Sequence, residues 1–405
     1  MEKRYLPVAI IMVLILSSSF CTAQDQQPAK NQPTTQQGAN DAEMWYAKGI
    51  NLYELGKYEE AYKAFDQATK LNPHYVDAWY YKGVTLDSLG RYWEALKAYD
   101  EVLKIEPNNA DIMTSKAVTL LNLDKYDQAL KIFDEAIKLK PDNADALYYK
   151  GVALYETGHH DLAIKAFEQA INLAPDNADA WLYKGNALSE LGRFAEAIKA
   201  YDVATKLRPN SGDAWFYKGN AFYNLGQYED ALKAYNVATM YKPDEADAWN
   251  SKGNALYALD RNEEAVKTFE QATKLKPDFA DAWNNKGGAL FALGRYEEAL
   301  SAFEQASKLK PSDADTWNNK GNALFSLARY EDAIKAFDQA IKLKSDDAGV
   351  WYKKACAYSL LNDKIKALET LKKAISLDPK LKEQAKTDED LKWLWGDMEF
   401  QRIVQ

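Results

Sequence analysis

From Ala42 to Leu381 the apolar and small residues of the chain fall into a 34-residue frame that fits ten times without insertion or deletion. Numbered 1 to 34 within the frame, positions 4, 8 and 11 form one stripe and positions 20, 24 and 27 another. Both sets are spaced i, i+4, i+7, the period of one face of an α-helix, so each repeat predicts two helices. Position 4 is tryptophan in eight repeats, from Trp45 to Trp351, with Met113 and Leu147 as exceptions. Position 8 is always Gly or Ala and position 20 always Ala, while position 24 is Phe or Tyr until the last repeat, which has Leu371. Large residues opposite small ones predict close helix packing, with Trp283 over the space left by Gly287 and with Ala299 and Ala306 admitting the neighbouring helix. Glycine at position 15, as in Gly56 or Gly294, ends the first helix in the left-handed conformation. Proline at position 32, present in nine repeats, stops the second helix, and Asp or Asn beside it starts the next.

These residues, in the order W…KG…L…G.Y.EA…F..A…P, resemble the tetratricopeptide repeat family over about 340 of the 405 residues. The resemblance implies an all-α fold in which ten helix-turn-helix repeats (42–75, 76–109 and so on to 348–381) stack into a right-handed superhelical solenoid. It also implies that the first helix of each repeat lines a concave groove, chiefly through positions 2, 5, 6, 9, 12 and 13. Departures from the pattern are local: Ala117 and Asp124 in the third repeat, His160 and Asn262 at position 17 of the fourth and seventh, and the leucine-rich tenth repeat. Residues 382–405 place Leu391, Leu394 and Trp395 at i, i+3, i+4, with Phe400 and Ile403 on a second short face. They predict a capping segment over the open end of the last repeat.

Ahead of the array, residues 1–23 have the three parts of an export signal: Lys3 and Arg4, an apolar run from Leu6 to Leu16, and small residues ending in Ala23. Cleavage after Ala23 and acylation of Cys21 as a lipoprotein are alternatives, and the membrane is approached only through an uncleaved or lipidated N-terminus. Residues 24–41, rich in Gln, Asn, Pro and Thr, predict a disordered linker. The expected location is therefore exported: secreted or in the cell envelope.

The net charge of −9, with Lys and Glu well mixed, argues against nucleic acid as a partner. Two cysteines, Cys21 and Cys356, leave no internal disulfide after cleavage, so packing must supply the stability. Three histidines, His74 and the adjacent His159 and His160, give no spaced metal cluster or nucleophile pair, and the many carboxylates recur with the repeat. The expectation is a non-enzymatic protein without metal or cofactor, most simply a monomer, that binds a protein or peptide partner. Position 7 is lysine in all ten repeats, Lys48 to Lys354, and reads as solvated helix charge rather than an anion site.

Function then rests on the groove positions. The first six repeats offer aromatics, including Tyr148, Tyr183, Phe216 and Tyr217, with rigid area and hydroxyl groups suited to peptide capture. Half of such rings are expected to pack between repeats instead. Repeats seven to nine change to Asn250, Asn254, Asn284, Asn285, Asn318, Asn319 and Asn322, with Tyr257, Phe291 and Phe325 one turn on. Asn285 and Asn319 match the asparagine ladder of the O-linked N-acetylglucosamine transferases, which the chain resembles only in its repeats, since no catalytic part is present. A side-chain amide donates and accepts at once, which suits the backbone of an extended peptide. The alternatives are a carbohydrate-binding protein using the tyrosine-rich half and a co-chaperone-type adaptor; the latter needs basic residues near position 5, and none stands there.

Overall fold

The structure is a computed structural model and describes residues 36–405, which form helices, turns and short connections with no strand among them. The expected signal, residues 1–23, lies outside the described residues, as does the linker up to residue 35. The chain divides into two units, residues 1–208 and 209–405.

In the first unit the helices are α1 (Gln36–Glu54), α2 (Tyr58–Leu71), α3 (Val76–Ser88), α4 (Tyr92–Ile105), α5 (Ala110–Asn122), α6 (Tyr126–Leu139), α7 (Ala144–Glu156), α8 (His160–Leu173), α9 (Ala178–Glu190) and α10 (Phe194–Leu207). The second holds α11 (Gly212–Asn224), α12 (Tyr228–Tyr241), α13 (Ala246–Ala258), α14 (Asn262–Leu275), α15 (Ala280–Ala292), α16 (Tyr296–Leu309), α17 (Ala314–Ser326), α18 (Tyr330–Leu343), α19 (Ala348–Leu360) and α20 (Lys364–Leu377). Each odd-numbered helix through α19 packs on the even-numbered helix that follows it and, within a unit, on the one that precedes it. The stripes read from the sequence face these contacts: position 20 is buried throughout, from Ala61 to Ala367.

The aromatic ring that covers the position-8 glycine is a different one from that expected. A Cβ added to Gly287 would meet Cε1 of Phe303 at 2.5 Å, and Gly49, Gly83 and Gly151 stand in the same relation to Phe65, Tyr99 and Phe167. Position 24 of the second helix thus fills the space, and its ring is essentially fully buried. Burial of one such ring is worth about 1.5–3 kcal/mol. Trp283 instead turns to the repeat junction, where its indole N–H donates to the carbonyl of Pro277 at 3.0 Å. Trp79, Trp181, Trp215, Trp249 and Trp317 donate in the same way to the carbonyls of Pro73, Pro175, Pro209, Pro243 and Pro311. The proline that stops one helix therefore presents its carbonyl to the first helix of the next repeat.

The position-7 lysines are built into the same junctions rather than simply solvated. Lys82, Lys116, Lys150, Lys184, Lys286, Lys320 and Lys354 each pair with the position-25 acid of the preceding repeat at 2.6–3.5 Å. The ammonium also lies over the position-4 indole, as Lys82 does over Trp79 at 4.5 Å and Lys286 over Trp283 at 5.3 Å.

At the N-terminal end α1 begins at Gln36, within the segment expected to be a linker. In later repeats the position-32 proline lies three residues ahead of the first helix and keeps it from starting earlier, but the equivalent place here is Ala39, which a helix accepts. At the other end, α21 (Leu381–Ala385), a 3₁₀ turn (Glu389–Leu394) and α22 (Met398–Val404) cover the last repeat. Leu391, Leu394, Phe400 and Val404 join Leu371 and Cys356 in one apolar cluster. Asp388 and Asp397 cap the two short elements through their carboxylates.

Candidate functional site

The tyrosine-rich half and the asparagine-rich half differ in what they leave open. In the first unit, Tyr148, Tyr149 and Tyr183 are 2%, 1% and 6% exposed, and their rings pack together, Tyr148 on Tyr149 at 4.9 Å and on Tyr183 at 6.1 Å. These groove-position tyrosines are therefore packing residues, a correction to the lining expected of Tyr148 and Tyr183. The Tyr148 hydroxyl is buried without a hydrogen-bond partner, and burial pushes its pKa well above the ordinary phenol value. In the second unit, Phe216 lies against the core and touches Tyr217 at 5.4 Å and Tyr235 at 6.1 Å.

Repeats seven to nine enclose a cavity of about 260 Å³, lined by Asn254, Tyr257, Phe269, Asn284, Asn285, Gly288, Phe291, Phe303, Asn319 and Asn322. Seven of these are residues singled out from the sequence. Asn250, Asn318 and Phe325 lie outside the lining. Two hydrogen bonds run between repeats along one edge: Asn285 Nδ2 donates to Asn250 Oδ1, and Asn319 Nδ2 to Asn284 Oδ1, each at 3.1 Å. Position 6 of one repeat is thereby tied to position 5 of the one before, which orients these amides and uses one of the four hydrogen bonds that each can make.

The position-9 asparagines are different, and the reason lies in the second helices. In repeats five and six, the position-24 residue is tyrosine, and Tyr201 and Tyr235 donate their hydroxyls to Asn186 and Asn220 at 2.9 and 2.8 Å. In repeats seven to nine, position 24 is Phe269, Phe303 and Phe337. Loss of the hydroxyl leaves the side chains of Asn254 and Asn322 with no hydrogen-bond partner among the described residues. Between them, position 9 of repeat eight is Gly288, beside which an added Cβ would meet nothing within 4 Å. The floor is phenylalanine, the rim is amide, and the middle is a notch.

A second departure opens the wall. Position 12 normally packs on the ring at position 17, as in Tyr223 on Tyr228 at 5.2 Å, Phe291 on Tyr296 at 5.1 Å and Phe325 on Tyr330 at 5.3 Å. In repeat seven, position 17 is Asn262, and Tyr257 is left 46% exposed on the cavity. The Asn262 Oδ1 is itself buried without a partner, although its Nδ2 donates to Asp260 at 2.8 Å. Both substitutions, phenylalanine for tyrosine at position 24 and asparagine for tyrosine at 17, stand in the sequence. Their effect depends on which side chains meet across a repeat, and for that reason Gly288, Phe269 and Phe303 were not expected in the site.

Other titratable groups give no comparable site. Asp87, at position 12 of repeat two, is buried; Tyr99 donates to its Oδ2 at 2.7 Å and Thr119 to the same oxygen at 2.9 Å. Burial raises its pKa to about 7, against the lowering effect of those two hydrogen bonds. His160 takes the place of the position-17 tyrosine and packs on Tyr155 at 5.3 Å. Cys356 lies with Asp388 and Asp390, their ligand atoms within 4.8 Å of one another. Burial, followed by the charge of Asp388, pushes the Cys356 thiol far above its usual range, which opposes the thiolate that a metal ion needs. No described helix is long and apolar enough to cross a membrane.

The crystal structure of YrrB, described as a TPR protein with an unusual peptide-binding site, is 25% identical over 47% of this chain and 98% of its own, with a TM-score of 0.43. The Cut9–Hcn1 hetero-tetramer of the APC/C is 20% identical over 90% of this chain and 76% of that one, with a TM-score of 0.44. The pilF protein of Pseudomonas aeruginosa is 19% identical over 54% of this chain and 96% of its own, with a TM-score of 0.45. No curated protein matches the sequence significantly. Tetratricopeptide repeat profiles match residues 46–110, 114–178, 153–212, 182–248, 218–267 and 250–314, and two further profiles of the same description match 314–347 and 348–381. The chain belongs to the tetratricopeptide repeat family.

Proposed function

We propose that the chain is a binding scaffold that holds an extended peptide segment of a partner protein against the asparagine-lined cavity of its second unit, and that it does so outside the cytoplasm. The observation that carries this is the pair of unengaged amides, Asn254 and Asn322, flanking Gly288 above Phe303. Each amide can accept from a peptide N–H and donate to a peptide carbonyl, so together they grip a backbone without selecting its sequence. The interlocked Asn285 and Asn319 hold the rim in place, which lowers the ordering cost of binding. The phenylalanine floor and Tyr257 supply apolar area for a side chain at the notch. A sugar-binding role at the tyrosine-rich half loses support because Tyr148, Tyr149 and Tyr183 are buried. The location is supported by the export-type pattern of residues 1–23, and the role as a binder rather than a catalyst by the repeat architecture itself.

The test is a titration. A dodecapeptide selected for tightest binding from a displayed random library is titrated into the wild type, Asn254→Ala/Asn322→Ala and Tyr148→Phe. The account expects the double substitution to weaken binding by roughly 1–3 kcal/mol, or about 5-fold to 150-fold, and Tyr148→Phe to leave it unchanged. Wild-type affinity in the double variant would move the site away from the cavity.

A further inference from the structure

The ladder of ion pairs between repeats has one gap inside the second unit, at Lys252. In repeat one, Asp66 at position 25 holds two lysines, Lys70 at position 29 and Lys82 at position 7 of the next repeat, each at 2.7 Å. In repeat six the same three places are Asn236, Met240 and Lys252. Position 25 is Asp or Glu in every other repeat that has a repeat after it, and position 29 is lysine in seven of the ten. Both members of the i,i+4 pair on α12 have thus been exchanged for uncharged residues, and the lysine of α13 has lost its carboxylate.

What remains around Lys252 is specific. Its ammonium lies 4.9 Å from the centre of the Trp249 ring and makes no ion pair among the described residues. The carboxylate that acts on it through space, Glu264, is already taken by Arg261 through two hydrogen bonds at 2.7 and 2.8 Å. Burial lowers the Lys252 pKa, with Glu264 opposing. At the place that Lys70 holds in repeat one, where it shares Asp66 with Lys82, Met240 is 63% exposed, and the next residue, Tyr241, is 43% exposed where the repeat pattern has a leucine. An unbalanced cation next to exposed methionine is complementary to a carboxylate next to an aliphatic group.

We propose that this edge of α12 and α13 is a docking point for a partner segment that carries an Asp or Glu beside an aliphatic residue, the carboxylate pairing with Lys252 and the aliphatic group covering Met240. The docked carboxylate supplies, from outside the chain, the charge that the position-25 acid supplies in other repeats. The site is separate from the asparagine-lined cavity and does not depend on it.

The experiment uses the whole chain labelled with ¹³C at the methionine methyls and the lysine Cε. The probe is the tripeptide acetyl-Leu-Glu-Leu-amide, with acetyl-Leu-Gln-Leu-amide as its uncharged control. The Lys252 and Met240 signals should move together to saturation with the glutamate peptide, and the glutamine peptide should bind about threefold to fivefold more weakly, the scale of a partly exposed ion pair. Asn236→Asp restores the residue type that the other repeats use, so it should fold normally, occupy Lys252 from within and bring the glutamate peptide down to the level of the glutamine peptide. The dodecapeptide selected for the cavity should bind Asn236→Asp as it binds the wild type, which keeps the two sites distinguishable. Absence of a saturable shift at Lys252 and Met240, equal binding of both tripeptides, or undiminished binding by Asn236→Asp would overturn the proposal.

Discussion

Ala328 occupies the turn between α17 and α18 with φ of 55°, in the left-handed region that six other repeats fill with glycine at φ of 71–78°. Asp124, Asp260 and Asn362 hold the same position at 55–60°, so all ten repeats close their first helix in one way whatever the residue. Alanine has neither the freedom of glycine nor the local hydrogen bonding of Asp or Asn, and is the most strained of the four. Ala328→Gly is expected to stabilise the chain by roughly 0.5–1 kcal/mol, and urea denaturation measures it. Asp87 gives a prediction with a sign. Its carboxyl has a folded-state pKa of about 7 against an ordinary 3.8, so between these values the folded chain holds a proton that the unfolded chain has lost. Its contribution is therefore greatest below the unfolded value, falls as pH rises through the folded value of about 7, and is lost above it. Full titration corresponds to roughly 4 kcal/mol, at about 1.4 kcal/mol per unit. Asp87→Asn keeps the acceptor for Tyr99 and removes the titration. Relative to the wild type it should gain stability between pH 5 and pH 8; equal pH dependence in the two proteins would show that Asp87 is ionised throughout.

At the scale of the helix pair, the 34-residue frame placed nearly every element, because two stripes at helical spacing and a proline stop leave few alternatives. What it could not place was the partner of each residue across a junction. The expectation that Trp283 covers Gly287 came from sequence proximity within one helix, whereas the ring that arrives is Phe303, sixteen residues on, because the second helix folds back against the first. The fate of the tyrosines was equally hidden: Tyr148, position 5 of repeat four, and Tyr217, position 6 of repeat six, read alike as groove residues, yet Tyr148 is buried and Tyr217 only half-buried. The asparagines of repeats seven to nine were legible as a group, but not the division between those that bond to one another and those that are free. That division makes two double variants distinguishable. Asn285→Ala/Asn319→Ala removes two inter-repeat hydrogen bonds and should lower stability by roughly 1–3 kcal/mol in addition to weakening peptide binding. Asn254→Ala/Asn322→Ala should weaken binding with stability unchanged to within about 0.5 kcal/mol. Denaturation and peptide titration of both variants check the contrast.

For the molecule as a whole, charge and address bear on which partners it meets. The net charge of −9 disfavours polyanions. If residues 1–23 direct export, the protein isolated from its native source begins at Gln24, and Cys356, buried and held as a thiol, is its one cysteine. N-terminal sequencing decides this: an intact Met1 in the cytosolic fraction contradicts export, and an acylated Cys21 selects the lipoprotein route. The central claim is that the free amides of the second unit hold a peptide backbone. Its most direct measurement is the side-chain amide spectrum of the ¹⁵N-asparagine-labelled chain during titration with the selected dodecapeptide. The account predicts that the Nδ2 signals of Asn254, Asn285, Asn319 and Asn322 shift together and saturate at the dissociation constant of the peptide, while the helix-capping Asn109, Asn143 and Asn177 of the first unit stay in place. A peptide that saturates the protein and leaves those four amides unmoved would contradict it.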